Sequence, residues 1–251
     1  MKEKAKVAIF KLSSCGGCQL QLVDAGEDFL KLLDHIDIVY FPIAKSENLD
    51  GPYDIVLVEG SACSAEEIEH LRKIRASTKY LVALGTCACF GGLQSIRNFE
   101  PTAKLVDMVY EKPPKSHPTK SFGIDEYVKV DAYVVGCPVE PSEVVEVIKS
   151  LLMGVKPRFP PYSVCVECKL RENECFLLKG IPCMGPITAG GCNALCPSSN
   201  RPCEGCRGPT KDPNSKALAK LLFELGATNE DVRRKFRKYA AASMAFAGVG
   251  V

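Results

Sequence analysis

Eight of the chain's fourteen cysteines crowd between Cys165 and Cys206, at intervals typical of metal ligands. They fall as Cys165-x2-Cys168, Cys175-x7-Cys183, Cys192-x3-Cys196-Pro197 and Cys203-x2-Cys206. A further CxxC, Cys15-Gly16-Gly17-Cys18, stands where a first strand should turn into a first helix, and Cys87 and Cys137 lie in Gly-rich or Pro-flanked turns far along the chain. Twelve thiolates suffice for three four-cysteine sites, with Cys63 and Cys89 left over. Iron–sulfur cubanes take four thiolates each, and a CxxC turn supplies two of them at once. Gly16, Gly17, Gly85, Gly91, Gly191 and Gly205 beside these positions let backbone approach a cluster and offer N–H donors to its negative charge. Proline after cysteine, in Cys137-Pro138 and Cys196-Pro197, turns the chain away and limits solvent. A row of such clusters is a path for electrons.

Plainer chemistry competes for the same residues. Cys165, Cys168, Cys203 and Cys206 could form a ribbon-like zinc site, which would strand four interleaved cysteines. A disulfide scaffold needs an oxidising compartment, and Met1–Phe10 runs straight into a strand pattern without an export signal. Thioredoxin-like redox chemistry at Cys15 and Cys18 would leave Cys87 and Cys137 without a role, and a flavin site would have to share an edge filled with thiols. Cys63 and Cys89 read as buried small hydrophobes, although Cys89 lies close enough to Cys87 for an exchange of roles. His35, His70 and His117 are isolated surface or cap residues. Glu59, at a strand end, reads as an anchor for the Gly60 turn rather than an interface group.

Positioning ligands so far apart in sequence requires a scaffold, and the first 153 residues supply one. Strand patterns at 7–10, 36–41, 54–59, 80–84 and 132–135 alternate with helical ones. Helices are predicted over 20–33, over 65–75 behind a Ser64-x-x-Glu67 capping box, and from Pro141 to Leu152, with proline at its favoured first position. This alternation predicts an α/β fold, a flavodoxin-like doubly wound parallel sheet. In that fold the loops after the strands form one edge, so Cys15, Cys18, Cys87 and Cys137 should gather there. Residues 154–162, with three prolines, read as a linker. An irregular segment up to residue 210 has little periodicity and should be held together by its metal sites. Helices are expected over 214–225 and after Thr228, so the organisation reads as 1–153, 154–210 and 211–251.

The bulk numbers are those of a soluble globular chain: 251 residues, 46% hydrophobic, 25% charged, net charge +2. They indicate no nucleic-acid surface, and the apolar runs are far short of the roughly 20 residues that span a bilayer. A cytoplasmic location is expected.

With these residues in view, the chain resembles the small subunits of [NiFe]-hydrogenases. It is most similar to the cytoplasmic, cofactor-linked group that includes the sulfhydrogenase delta and methyl-viologen-reducing hydrogenase small subunits. The resemblance covers roughly residues 5–210. It is carried by Ser14-Cys15-Gly16-Gly17-Cys18-Gln19-Leu20-Gln21-Leu22, Val58-Glu59-Gly60-Ser61, Ala83-Leu84-Gly85-Thr86-Cys87-Ala88, Gly91-Gly92 and Gly136-Cys137-Pro138. Cys183-Met184-Gly185-Pro186-Ile187-Thr188 and Gly191-Cys192-Asn193-Ala194-Leu195-Cys196-Pro197 continue it.

The resemblance implies that Cys15, Cys18, Cys87 and Cys137 hold a proximal [4Fe–4S] cluster. It assigns Cys165, Cys168, Cys175 and Cys183 to a distal cluster, and Cys192, Cys196, Cys203 and Cys206 to a medial one. Cys165 stands where exported members carry histidine, and the medial site has four cysteines where many have three. Both differences favour all-thiolate cubanes of comparatively low potential. Hydrogen would be split at a NiFe centre in a partner large subunit. This chain would relay electrons to a flavin- or iron–sulfur-containing acceptor subunit linked to NAD(P), a ferredoxin or a disulfide. The quinone-linked relative in complex I typically has adjacent cysteines at the first turn and lacks the eight-cysteine tail. A zinc-stabilised interaction module without redox function is the alternative from another class.

Overall fold

The computed structural model describes residues 4–112 and 118–249, so His117 and the last two residues of the apolar tail lie outside it. The chain divides into two compact units, Met1–Arg158 and Phe159–Val251.

The first unit is built on five strands: β1 (Ala5–Lys11), β2 (Ile36–Tyr40), β3 (Tyr53–Glu59), β4 (Thr78–Leu84) and β5 (Ala132–Val134). All pairings are parallel and the order is β2-β1-β3-β4-β5, the doubly wound arrangement of flavodoxin-like sheets. The central strands are continuous apolar runs because both faces are covered: Val7, Ala8, Ile9 and Phe10 of β1 and Ile55, Val56, Leu57 and Val58 of β3 are all buried. On one face Ala8, Phe10, Val56, Val58, Leu81 and Ala83 pack with Leu71 and Ile74 of helix α3 (Ala65–Ala76). Side chains alternate along a strand, so Val7, Ile9, Ile55 and Leu57 point to the opposite face.

The helix predicted over 20–33 is two helices, α1 (Gly17–Val23) and α2 (Gly26–Leu32), broken where Gly26 takes a φ of 66°. The Ser64 box is half formed. Ser64 Oγ accepts from the Glu67 N–H, but the Glu67 carboxylate takes the Cys63 N–H and the Ser13 hydroxyl. A cap of this kind stabilises by about 1 kcal/mol. Two helices went unpredicted, α4 (Gly85–Phe90) and α5 (Thr102–Val109), separated by a 3-10 stretch over Leu93–Phe99. Cys87 therefore lies in a short helix, not in a turn. Helix α6 (Pro141–Leu152) starts at its proline and buries Val144, Val145, Ile148 and Leu151.

In the second unit, α7 (Val164–Leu170) carries Cys165 and Cys168, and α8 (Leu195–Ser198) carries Cys196. Helices α9 (Ser215–Glu224), α10 (Asn229–Ala240) and α11 (Met244–Ala247) follow. Asn214 caps α9, and Gly226 (φ 88°) lies just past its end. Thr228 and Asp231 form a complete capping box on α10. No helix among the described residues is long and apolar enough to cross a membrane.

Candidate functional site

The turn after β1 places the first cysteine pair. Gly16 (φ 83°) opens α1, which directs the N–H groups of Cys18 and Gln19 toward β3. There the buried Glu59 carboxylate accepts both, at 3.2 and 3.3 Å. Glu59 thus anchors the Cys15–Cys18 turn, across the β1–β3 register, rather than its own Gly60 turn. Burial pushes its carboxyl up, while the two amides and Lys11 act in the opposite direction.

Cys87 arrives from the end of β4 and Cys137 from the end of β5. At Gly85 (φ 81°) a Cβ would stand 2.4 Å from the Cys18 sulfur, and at Gly92 (φ 64°) one would stand 2.4 Å from the Cys87 sulfur. Both positions combine a left-handed backbone with a sulfur in contact, so only glycine fits. Gln94 buttresses the same edge: its amide donates to the Ser13 carbonyl at 2.7 Å and to Ser61 Oγ at 2.9 Å, and its carbonyl oxygen faces Cys87 Sγ at 3.5 Å.

The four thiols are close enough to feel one another. Burial above all, with neighbouring cysteine charges and Glu59 behind it, pushes Cys87 and Cys137 up to about 11, and the Gln94 contact works against it at Cys87. Burial also drives Cys18 far upward, helped by Glu59, Cys137 and Cys87. Cys18, Cys87 and Cys137 cannot all ionise without positive charge beside them, and an iron–sulfur core would supply that charge while taking thiolates as ligands. The donor set fits the group. Cys89 faces the other way, with its thiol 3.7 Å from the Ala83 and Val134 carbonyls in the core, and Cys63 is buried with its sulfur 3.3 Å from Ser61 Oγ.

The second unit assembles another four. The Cys165 thiol, pushed to about 11 chiefly by burial, senses Cys183, Cys168 and Cys175. Gly185 leaves room for two of these sulfurs, since a Cβ there would be 3.3 Å from Cys165 Sγ and 3.6 Å from Cys183 Sγ. Cys203 lies at the boundary with the remaining cysteines: its N–H donates to Cys183 Sγ at 3.2 Å, and its thiol senses Cys183 and Cys206. Among the described residues no disulfide forms. Nor do three His, Cys, Asp or Glu side chains among them gather tightly enough to grip a single ion; a cubane, with one thiolate per iron, asks for a wider ring of sulfurs.

Two charged residues at this end were not anticipated. Glu167, inside the first CxxC of the unit and 7% exposed, turns its carboxylate onto the N–H groups of Gly191 and of Ala194, the latter at 3.1 Å. Asn193 and Ala194 both take left-handed backbone, at φ 53° and 49°. For non-glycine residues that costs about 1–2 kcal/mol each, which Glu167 offsets. Arg207, 2% exposed, donates from Nε to the carbonyls of Ala189 at 3.1 Å and Gly190 at 2.8 Å. A charged side chain inside or just after a CxxC is the only sequence signal for either.

The family described as NADH ubiquinone oxidoreductase, 20 Kd subunit, matches residues 15–151. The sulfhydrogenase 2 subunit delta of Pyrococcus furiosus is 40% identical, over 94% of this chain and 99% of its own length. A subunit of the F420-non-reducing hydrogenase vhu of Methanocaldococcus jannaschii is 32% identical over 82% of each chain. A chain of an NAD+-reducing [NiFe]-hydrogenase, solved in the H2-reduced state, superposes with a TM-score of 0.58 at 31% identity, covering 63% of this chain and 96% of that one. The family match ends before the second unit, whereas the sulfhydrogenase subunit continues along nearly the whole chain, cysteine-rich segment included. The protein therefore belongs to the family of the 20 kDa NADH ubiquinone oxidoreductase subunit, and within it to the small, electron-transfer subunits of hydrogenases.

Proposed function

We propose that this chain holds three [4Fe–4S] clusters in a cytoplasmic [NiFe]-hydrogenase. Cys15, Cys18, Cys87 and Cys137 hold the proximal cluster, Cys192, Cys196, Cys203 and Cys206 the medial one, and Cys165, Cys168, Cys175 and Cys183 the distal one. Bound clusters would supply one-electron carriers between the large subunit's NiFe centre, where each H2 gives two electrons and two protons, and a flavin- or iron–sulfur-containing acceptor subunit.

The observation that carries this reading is the convergence of four thiols, from the segments that follow β1, β4 and β5, on the carboxyl edge of one parallel sheet, where such folds place their ligands. This chain's own part is to hold and insulate. Glu59 fixes the turn bearing Cys15 and Cys18, Gly85 and Gly92 admit the sulfurs, and Gln94 braces the loops beside Cys87. Low-potential, all-cysteine sites suit an acceptor linked to NAD(P), a ferredoxin or a disulfide.

The deciding experiment counts iron, acid-labile sulfide, zinc and nickel in the anaerobically purified native assembly after its subunits are separated. Three quartets predict twelve irons and twelve sulfides on this chain, four of each per quartet, with nickel on a larger partner. Zinc in place of iron, or an assembly without nickel, would overturn the reading.

A further inference from the structure

We propose that Glu167 and Arg207 are an opposed pair of positioning residues, clamping the Ala189–Ala194 segment from two sides and setting the potential of the centre bound through Cys192. The proposal rests on the cluster reading above and deepens it at the medial site.

The clamp is visible in the backbone. Glu167 takes the N–H groups of Gly191 and Ala194, and Arg207 takes the carbonyl oxygens of Ala189 and Gly190. Carboxylate and guanidinium thus seize donors and acceptors of one continuous run, and Cys192 lies within it. That run contains the left-handed Asn193 and Ala194, which would relax without the Glu167 contacts.

Both clamping groups are buried, so water does little to screen them. Glu167 Oε2 lies 4.0 Å from Cys192 Sγ. Arg207 holds the Gly190 carbonyl, two residues before Cys192, and directly follows Cys206. A buried anion and a buried cation therefore flank the stretch that carries Cys192. A fixed cation favours the more reduced, more negative state of a thiolate-bound centre, and a fixed anion disfavours it. Packing roles alone would give no such opposition.

The test uses the assembled complex, anaerobic, with wild type, R207Q, R207K and E167Q followed by redox titration under electron paramagnetic resonance, beside iron and sulfide counts. In R207Q one of the centres should need a lower potential. At fixed solution potential its oxidised-to-reduced ratio should rise about tenfold, equivalent to about 59 mV for one electron. E167Q should shift the same centre the opposite way, and R207K should stay near wild type. If R207Q does not load its full iron while R207K does, the requirement for a cation stands. Shifts of the same sign in R207Q and E167Q, no shift in either, or R207K behaving as R207Q would overturn the proposal. A wild type without cluster signals would overturn the cluster reading itself, whereas normal wild-type signals with unmoved variants would overturn only the clamp.

Discussion

At the scale of single residues, the cysteines are governed by burial and by each other. Cys87, Cys137 and Cys165 are pushed from 9.0 to about 11, burial being the largest cause in each case. Their folded-state values lie above those of the unfolded chain, so between about pH 9 and 11 the fold retains protons that the unfolded chain releases. For the iron-free chain, stability from these groups is full below about pH 9 and is lost as pH rises through 11. Urea midpoints taken across that window should fall steadily, and a flat profile would mean that the thiols are not gathered as described. The cysteines and their spacing are legible in the sequence. The groups that hold them are not: Glu59, Gln94, Glu167 and Arg207 act through contacts 17 to 81 residues away along the chain, which no local pattern encodes.

At the scale of elements, what decides position is how each helix begins and what ties its flank. The start of α10 is legible at Thr228, because helix starts are local chemistry, and the structure adds that Thr228 and Asp231 close a full capping box there. The tertiary use of α10 is not legible. Lys235 and Lys238 of α10 both reach Glu204, inside the Cys203–Cys206 pair, at 2.6 and 2.9 Å. Glu204 is half-buried between them; burial works to raise its carboxyl and the two ammonium groups bring it down. This ties α10 to the turn that bears Cys203 and Cys206. Glu204→Ala should lower stability by about 1 kcal/mol, the upper range for a partly exposed ion pair, in thermal melts of the loaded chain. Hydrogen exchange of the Cys203–Cys206 amides should also quicken, and unchanged exchange would show that α10 does not steady that turn. The 20–33 pattern illustrates the limit of periodicity: apolar spacing runs through Gly26, but its positive φ breaks the helix in two.

At the scale of the whole molecule, the two units answer to different forces. Met1–Arg158 has a doubly covered parallel sheet whose central strands are buried through their middle residues, and that apolar core is its main support. In the second unit, residues 163–209 contain only short helical pieces and side chains such as Leu170 and Leu178 stand open to solvent, so under the cluster assignment proposed above its order would depend more on ligated metal. Removing iron with a chelator under anaerobic conditions should therefore open 163–209 to limited proteolysis well before 5–152. Cleavage of both units at equal rates would contradict this division.

The sequence by itself determined the fold class and the supply of thiols, because strand–helix alternation and ligand spacing are written in neighbouring residues. It also placed Cys15, Cys18, Cys87 and Cys137 on one edge, since parallel winding sends every strand's end the same way. Only the tertiary structure decided that Cys87 belongs to a helix, that Cys89 turns into the core, and that Cys183 and Cys203 share a boundary. It alone showed buried Glu and Arg side chains serving the backbone of the Ala189–Ala194 turn. The physical reason is burial. A charge or thiol takes its partner, and its protonation, from whatever the fold packs against it, and those neighbours come from distant parts of the chain.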